Sequence, residues 1–258
     1  MDLGIKGRIA LVTASSKGLG HAVAHALASE GCHVCVSSRT AEAAEQAART
    51  ISRATGAEVV GIPCDVTRRA DCELLVDQVV QRWGRADILI NNSGGPAPGS
   101  FDAADENTWQ AAVDSTLMNV VRMSRLCIPH MKKNRWGRII TITSTSAVQP
   151  IDNLMLSNAL RGAVHGLSKT LATELAPHGI LVNCVMPGMH ATDRLRHLAD
   201  ARAKVSGLSS DQEYAKLSLA IPLGRLGDPA ELAAAVAFLA SERASFITGT
   251  SLLVDGGA

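Results

Sequence analysis

Residues Thr13-Ala14-Ser15-Ser16-Lys17-Gly18-Leu19-Gly20 follow an apolar run and lead directly into a stretch with helical periodicity. Glycines at a strand-to-helix turn let backbone N–H groups and the start of the helix approach a pyrophosphate, which is one way to hold a dinucleotide. Because glycine at such turns also serves geometry alone, this prediction depends on the rest of the chain.

The rest of the chain alternates between apolar runs typical of strands and stretches in which apolar residues recur at helical spacing. The strand-like runs cover residues 8–13, 33–37, 58–62, 87–90, 138–142, 180–186 and 251–254. The helix-like stretches cover residues 19–28, 41–53, 70–83, 107–131, 158–175 and 229–240. This alternation predicts an α/β fold, a single Rossmann-type doubly wound parallel sheet of about seven strands with helices on both faces.

No linker, repeat or change of composition divides the chain, so we predict one domain over residues 1–258. Two segments interrupt the alternation, residues 94–105 and residues 189–219. Both follow the ends of strands, where ligands bind in sheets of this kind. The second segment is long and more polar, and we expect a substrate lid at residues 189–220.

The composition excludes several classes of protein. Of 258 residues, 47% are apolar and 19% charged, which excludes a disordered or fibrous chain. A net charge of +1 provides no field that would recruit nucleic acid or an anionic membrane, and no apolar run approaches the roughly 18 residues that cross a bilayer. The first residues lack a basic and apolar leader, so we expect a cytoplasmic protein without nucleic-acid or membrane partners.

The six cysteines are scattered through periodic segments and are not spaced as a disulfide framework. Cys32 and Cys35 form a C-x-x-C pattern, but residues three apart in a strand face opposite sides. We therefore expect the cysteines to fill the core and predict no metal site, with a redox or zinc role as the alternative.

The end of the second strand-like run indicates which dinucleotide is bound. It carries Ser37-Ser38-Arg39, where a pocket for a ribose 2′-hydroxyl would carry an acidic residue. Arg39, together with Lys17 in the glycine loop, suits a 2′-phosphate, which favours NADP(H) over NAD(H). The alternative is that both are solvated surface side chains.

Further motifs show that nearly the whole chain resembles the short-chain dehydrogenase/reductase family. Residues 13–20 resemble its glycine motif, Cys64-Asp65-Val66 its adenine-site pair, and Asn91-Asn92-Ser93-Gly94 its motif after the fourth strand. Met186-Pro187-Gly188 with Thr192 resembles its nicotinamide motif, and residues 247–249 and 254–257 its last strand. Within the family, the chain looks closest to the branch of 3-oxoacyl-(acyl-carrier-protein) reductases.

The resemblance implies a set of residues that contact the cofactor. They are Thr13, Ser15, Ser16, Lys17, Gly18, Leu19, Gly20, Ser38, Arg39, Asp65, Val66, Asn92, Ser93, Gly94, Arg161, Pro187, Gly188 and Thr192. Ala14 departs from the family, which usually has glycine there. If that turn needs a positive φ, alanine costs about 1–2 kcal/mol.

The resemblance also implies a catalytic tetrad in which a tyrosine protonates the carbonyl oxygen, a serine orients it, a lysine grips the ribose and an asparagine holds a relay water. Ser144 stands where the serine belongs. The tyrosine position, thirteen residues on, is Ser157, and the lysine position is Arg161. The asparagine position is Thr116, with Asn119 three residues further along. Three of the four tetrad positions thus differ from the family pattern.

Three other proton donors are conceivable. Tyr214, the only tyrosine, lies in the expected lid; His190 follows Pro187-Gly188; a water held by Ser144 and Ser157 is the third. The alternatives are that Tyr214 packs within the lid and that His190 is structural. We expect His165 to face outward from the helix that carries Arg161. We expect Asn119 to occupy an ordinary helix position.

These features predict an NADP(H)-dependent oxidoreductase that reduces a small-molecule carbonyl or oxidises an alcohol. Losing a general acid lowers the rate by a factor of about 10²–10⁴, whereas holding the reactants in position lowers the barrier by about 7–11 kcal/mol. We therefore expect activity to survive such a loss, particularly on an activated ketone. The alternatives are a dinucleotide-binding scaffold or sensor without turnover, with Ser157 and Arg161 as inert replacements, and a non-redox reaction on the same fold. The resemblance further implies a homodimer or homotetramer.

Overall fold

The apolar runs of the sequence form one sheet of seven parallel strands. The computed structural model describes residues 2–258, except for the side chains of residues 201, 202 and 205. The strands are β1 (Ile9–Val12), β2 (His33–Ser38), β3 (Val59–Pro63), β4 (Ile88–Asn91), β5 (Gly137–Ile142), β6 (Ile180–Pro187) and β7 (Ser251–Val254). Their order across the sheet is β3-β2-β1-β4-β5-β6-β7, so the chain extends the sheet from β1 towards one edge and from β4 towards the other. The strand order therefore reverses between β1 and β4. The predicted doubly wound sheet is confirmed, and a ligand crevice is expected at that reversal.

Helices cover both faces of the sheet. They are α1 (Gly18–Ser29), α2 (Ala41–Thr55), α3 (Arg69–Trp83), α4 (Glu106–Val113), α5 (Asn119–Asn134), α6 (Met155–Leu175), α7 (Asp193–Ser206), α8 (Ser210–Leu219) and α9 (Pro229–Leu239). Helices α1, α2 and α9 pack on one face, and α3, α5 and α6 on the other.

The strands are apolar throughout because both of their faces are buried. In β1, Ala10 and Val12 join the core cluster on one face, while Ile9 and Leu11 join the cluster on the other. Cys32 and Cys35 likewise lie in opposite clusters, and all six cysteines are buried. Their predicted place in the core is confirmed.

The single helix predicted over residues 107–131 is wrong in detail. A π-helical turn, Asp114–Met118, separates α4 from α5. Apolar residues continue at helical spacing through the turn, so the periodicity of the sequence does not reveal it. Such insertions change which side chains point inward, and they are frequent at functional sites.

The segment expected to form the lid consists of two capped helices at the carboxyl end of β6. Thr192 caps α7, and Ser209 forms a capping box with Gln212 at the start of α8. Residues 201, 202 and 205 fall in this segment, and their side chains lie outside the described part of the chain, as does Met1 of the expected domain.

Across residues 2–258, none of the helices combines the length and the apolar character needed to cross a membrane.

Candidate active site

Two hydroxyls hold the glycine loop to the sheet. The Thr13 hydroxyl donates to the Asn92 carbonyl at 2.7 Å and accepts from the Asn92 N–H at 2.8 Å, joining the ends of β1 and β4. The Ser15 hydroxyl donates to the Val12 carbonyl at 2.6 Å and accepts from the Ser37 N–H at 3.0 Å. Both side chains are buried, so they shape the loop from behind.

The loop is tightly constrained at the residues that the sequence singles out. Ala14 has φ +45°, the positive value that the glycine of the family motif would adopt more easily. A Cβ on Gly20 would lie 2.6 Å from Asn92 Nδ2 and 2.7 Å from the Ala14 carbonyl oxygen. Only glycine fits at position 20, and the loop brings the start of α1, with Leu19, to the crevice.

A basic corner lies beside this loop at the end of β2. The Ser16 hydroxyl donates to Ser38 Oγ at 3.2 Å, which brings the two neighbours Lys17 and Arg39 to the same corner. Both cations are exposed, and neither forms an ion pair with any residue that the structure describes. The corner therefore offers two cations and two hydroxyls to an anionic group.

Asp65, at the end of β3, is held in place by Thr67. Its carboxylate accepts the Thr67 N–H at 3.0 Å and the Thr67 hydroxyl at 2.7 Å. The hydrogen bond from the Thr67 hydroxyl, and to a smaller degree the charge of Arg39, lowers the pKa of Asp65. Asp65 thus remains an acceptor at the edge of the crevice, followed directly by Val66.

The opposite wall of the crevice comes from the ends of β4 and β6. The Asn92 side chain donates to the Ala14 carbonyl at 3.0 Å, and Ser93 and Gly94 follow it. Pro187 ends β6, and a Cβ on Gly188 would lie 2.7 Å from Asp255 Cα. Thr192 Cγ2 lies 3.8 Å from the point where Gly18 would carry a Cβ, so this wall meets the glycine loop.

Three serines meet after β5. Ser144 Oγ accepts the Ser146 N–H at 3.1 Å, and its own O–H is not engaged in any described hydrogen bond. Ser146 Oγ lies 2.9 Å from Ser157 Oγ, and both of these residues are buried. The sequence prediction missed Ser146, whose only signal was its place in the run Ser144-Thr145-Ser146. Ser157 is thus paired with Ser146 and not with Ser144.

Arg161, at the position where the resemblance implies a lysine, lies largely out of water. Its Nη1 donates to the Ile142 carbonyl at 3.1 Å, while its Nε is buried without a partner among the described residues. Burial, with a further contribution from the charge of Arg194, lowers the pKa of Arg161 to about 10. The group therefore remains a cation at neutral pH.

A small polar cavity of about 10 Å³ lies behind Arg161. Within the part of the chain that the structure describes, several buried polar atoms on its lining residues lack a hydrogen-bond partner: Thr116 Oγ1, Asn119 Oδ1, Asn91 Nδ2, Thr141 Oγ1 and Arg161 Nε. The π-helical turn and the start of α5 bring Thr116 and Asn119 to the same cavity. Asn119 is a helix residue, as expected, and its buried Oδ1 also faces this cavity without a described partner.

His165 also differs from its expected position, because it faces the sheet. Its Nε2 lies 2.9 Å from Thr143 Oγ1, and its Nδ1 lies 3.4 Å from Ser251 Oγ. Burial, and then the charge of Arg161, lowers the pKa of His165. The outward orientation was wrong because helical spacing alone does not reveal that Thr143 and Ser251 flank this position.

The two side chains considered as replacement proton donors are engaged elsewhere. His190 is buried, with Nδ1 3.3 Å from the Gly188 carbonyl oxygen and its ring packed against Gly227. Tyr214, on α8, lies under Arg196, whose guanidinium carbon is 4.4 Å from the ring centroid. These contacts are those of a structural histidine and of a residue that packs α7 against α8.

Comparison with known proteins identifies relatives along almost the entire chain. A family model described as enoyl-(acyl carrier protein) reductase matches residues 13–258. The chain is 38% identical to dehydrogenase/reductase SDR family member 4 of Sus scrofa, over 98% of this chain and 88% of the relative. It is 37% identical to the 3-oxoacyl-(acyl-carrier-protein) reductase of Escherichia coli, over 99% of this chain and 98% of the relative.

Solved structures agree. L-sorbose reductase from Gluconobacter frateurii, complexed with NADPH and L-sorbose, superposes with a TM-score of 0.96 at 34% identity, covering 100% of this chain and 98% of the other. A variant of actinorhodin polyketide ketoreductase with NADPH gives 0.92 at 32% identity, covering 97% of each chain. The chain belongs to the short-chain dehydrogenase/reductase family of oxidoreductases.

Proposed function

We propose that this protein is an NADP(H)-dependent oxidoreductase that reduces the carbonyl of a small molecule, or oxidises the corresponding alcohol, with Ser157 and Arg161 in place of the usual tyrosine and lysine. The observation that carries the proposal is the position of Arg161. Its cation shares a polar cavity with Asn92 and Ser93, which belong to the expected cofactor contacts.

The residues of the crevice fit a dinucleotide with a 2′-phosphate. Gly20 leaves the space that a close backbone approach requires, and the start of α1 faces it as a site for the pyrophosphate. Lys17 and Arg39, with the Ser16 and Ser38 hydroxyls, are the groups that would bind a 2′-phosphate. Two structural neighbours were crystallised with NADPH, which supports NADP(H) as the cofactor.

When bound, the cofactor supplies or accepts the hydride, and the chain has to orient and protonate the substrate. The Ser144 O–H is available to donate to the carbonyl oxygen, because Ser144 Oγ already accepts from the Ser146 N–H. Arg161 provides a fixed positive charge that would stabilise the carbonyl oxygen of the substrate as it becomes negative. A guanidinium does not give up its proton readily, so Arg161 is not the proton donor.

A water is the proton donor that agrees best with these contacts. His190 and Tyr214 are held by Gly188 and Arg196, and the Ser157 hydroxyl is paired with Ser146. The cavity behind Arg161, with its unpaired polar atoms, has room for about one water. Replacing a phenol by water as the proton donor lowers the rate by a factor of about 10²–10⁴. For a reactive carbonyl, holding the substrate and the cofactor in the right geometry offsets that loss.

The remaining expectations are part of the same proposal. Residues 1–258 form one dinucleotide-binding domain, α7 and α8 act as the substrate lid, and the protein works in the cytoplasm as a homodimer or homotetramer. The lid assignment is supported by the location of this helical pair after β6, at the carboxyl edge of the sheet.

The test is NADPH consumption with a broad panel of ketones and aldehydes, together with NADPH affinity measured by calorimetry. We expect saturable oxidation with at least one compound. Ser144→Ala and Arg161→Gln should each lower kcat/KM by about 10²-fold or more, because each removes a group that stabilises the carbonyl oxygen. Lys169→Gln, an exposed change on the same helix as Arg161, is the control.

Two outcomes would contradict the proposal. Tight NADPH binding without turnover would indicate the scaffold or sensor. Conversion of a substrate without net consumption of NADPH would indicate a non-redox reaction.

A further inference from the structure

Two guanidinium groups approach each other beside Gly95, in the loop after β4. Arg161 Nη2 and Arg194 Nη1 each lie 3.2 Å from the point where Gly95 would carry a Cβ, and Arg194 Nη2 lies 3.5 Å from it. Arg161 comes from α6, and Arg194 from the first turn of α7. Residues far apart in the sequence therefore place two like charges around one backbone position.

Neither charge has a counter-ion among the described residues. Arg161 makes one described hydrogen bond, to a carbonyl, and Arg194 makes none. The next arginine along α7 behaves differently, since Arg196 pairs with Asp211 at 2.8 Å and packs over Tyr214. Two adjacent cations without an acid, one of them largely desolvated, are an unfavourable arrangement that an anion would relieve.

The surroundings also favour an anion. The amino-terminal end of α7 carries the positive end of the helix dipole, and Arg194 lies in its first turn. Guanidinium groups match the geometry of carboxylate and phosphate oxygens, to which they donate paired hydrogen bonds. The pyrophosphate of a dinucleotide is expected at the glycine loop and α1, which Thr192, the cap of α7, also approaches. Arg161 lies on the helix that also carries Ser157, at the reacting end, so the test below separates a role of Arg194 in cofactor binding from a role in substrate binding.

We propose that the substrate of this protein is an anionic carbonyl compound, whose carboxylate or phosphate group is bound by Arg194 beside Gly95, next to the Arg161 cation that faces the reacting oxygen. This inference rests on the proposed function, because it assumes that the reacting group is a carbonyl. Arg194 is then a residue that determines substrate specificity, and neutral ketones are poor substrates.

Exposed apolar side chains around the site indicate which compounds to use as probes. Val148 and Ile151 follow Ser144 and are exposed, and Phe101 is exposed in the loop that contacts Leu154 through Gly99. A compound that joins a carboxylate to an apolar group suits both the arginine pair and these apolar side chains. Phenylpyruvate and its methyl ester differ in charge, and dihydroxyacetone phosphate and dihydroxyacetone form the corresponding pair for phosphate.

The experiment titrates each pair into the complex of the protein with NADP⁺ and measures the Kd by calorimetry. We expect one of the anions to bind about 10- to 100-fold more tightly than its neutral partner, the difference typical of hydrogen bonds to charged groups. Arg194→Gln should remove that preference and leave the Kd for NADP⁺ unchanged. Arg196→Gln, two residues along the same helix, should preserve it.

Equal affinity for the charged and neutral member of both pairs would overturn the inference. It would also be overturned if Arg194→Gln weakened NADP⁺ binding and left the anion preference intact, because Arg194 would then serve the cofactor. The affinity for NADP⁺ is measured first, so a failure of cofactor binding contradicts the proposed function itself and is distinguishable from a failure of this inference.

Discussion

At the residue scale, the backbone at Ala14 is strained in the way that the sequence predicted. The family motif has glycine there, and the alanine adopts φ +45°, in the left-handed region. By contrast, the pairing of Ser146 with Ser157, the position of His165 and the approach of Arg161 to Arg194 were not predictable. Each joins residues that are distant in sequence, and one chain without its fold carries no signal for such contacts.

Replacing Ala14 by glycine should stabilise the protein. The left-handed backbone costs alanine about 1–2 kcal/mol, and the greater freedom of glycine in the unfolded chain offsets part of that gain. We expect the free energy of unfolding in urea to rise by about 0.5–1 kcal/mol. Ala22→Gly, inside α1, is the matched control and should lower it, so a loss of stability in both variants would contradict the assignment.

Arg39 should determine the choice between the two nicotinamide cofactors. In Arg39→Asp, a carboxylate faces the 2′-position, repels a 2′-phosphate and accepts from a 2′-hydroxyl. We expect the Kd for NADPH to rise by about 10- to 100-fold while the Kd for NADH stays the same or falls. Arg53→Asp, an exposed change at the end of α2, controls for net charge. Equal effects on both cofactors would show that Arg39 does not contact the 2′-phosphate.

At the element scale, the seven predicted strands and six predicted helices agree with the structure to within a few residues, whereas α7 and α8 lie in the segment that was expected only as a polar lid and not as helices. The difference between the one helix predicted over residues 107–131 and the observed α4 and α5 has a physical cause. The π-helical turn Asp114–Met118 keeps the apolar spacing that suggested one long helix. It nevertheless brings Thr116 and Asn119 to one cavity, where Thr116 Oγ1 and Asn119 Oδ1 have no described hydrogen-bond partner. Periodicity predicts that a helix exists but does not reveal an inserted residue within it.

Helix α6 should contribute a pH dependence to stability through His165. Burial and the charge of Arg161 hold the pKa of His165 below its ordinary value of 6.5. As the pH falls below about 6.5, the unfolded chain takes up a proton that the folded chain does not, so the free energy of unfolding falls until the lower folded pKa is reached. Above about 6.5 the contribution is fully present.

His165→Gln should therefore flatten the acid limb of a plot of unfolding free energy against pH, measured by urea denaturation. His197→Gln, which removes an exposed histidine from α7, is the control variant. Parallel curves for the wild type and His165→Gln would show that His165 takes up its proton equally in both states.

At the scale of the whole molecule, the fold was predictable because a doubly wound sheet imposes alternating strands and helices over the entire chain. The candidate site was predictable only in outline, since the sheet brings the carboxyl ends of its strands together and thereby gathers the residues that are expected to contact the cofactor. The chemistry that we propose for Ser157 and Arg161 was not predictable, because it depends on which polar atoms meet in the cavity that Arg161 lines and beside Gly95.

The edge of the sheet that β7 forms should mediate association between copies of the chain. Phe246 is fully exposed, and Leu253 of the edge strand β7 is 48% exposed. If the protein is a tetramer that uses this edge, Leu253→Glu should reduce its mass in light scattering to that of a dimer. Leu74→Glu, a similarly exposed change on α3, is the control. An unchanged mass for Leu253→Glu would exclude β7 as an interface.

The fate of the hydride shows directly whether this protein reduces a carbonyl compound. NADPH carrying two deuterium atoms on the hydride-bearing carbon of its nicotinamide ring, so that transfer from either face delivers the label, is incubated with the protein and an anionic carbonyl compound, and the product is analysed by mass spectrometry. We predict an alcohol that contains one deuterium, formed by the wild type and by Lys169→Gln but greatly reduced in Ser144→Ala and Arg161→Gln. Tight binding of NADPH with no deuterium transferred to any carbonyl compound would contradict the assignment of this chain as a working oxidoreductase.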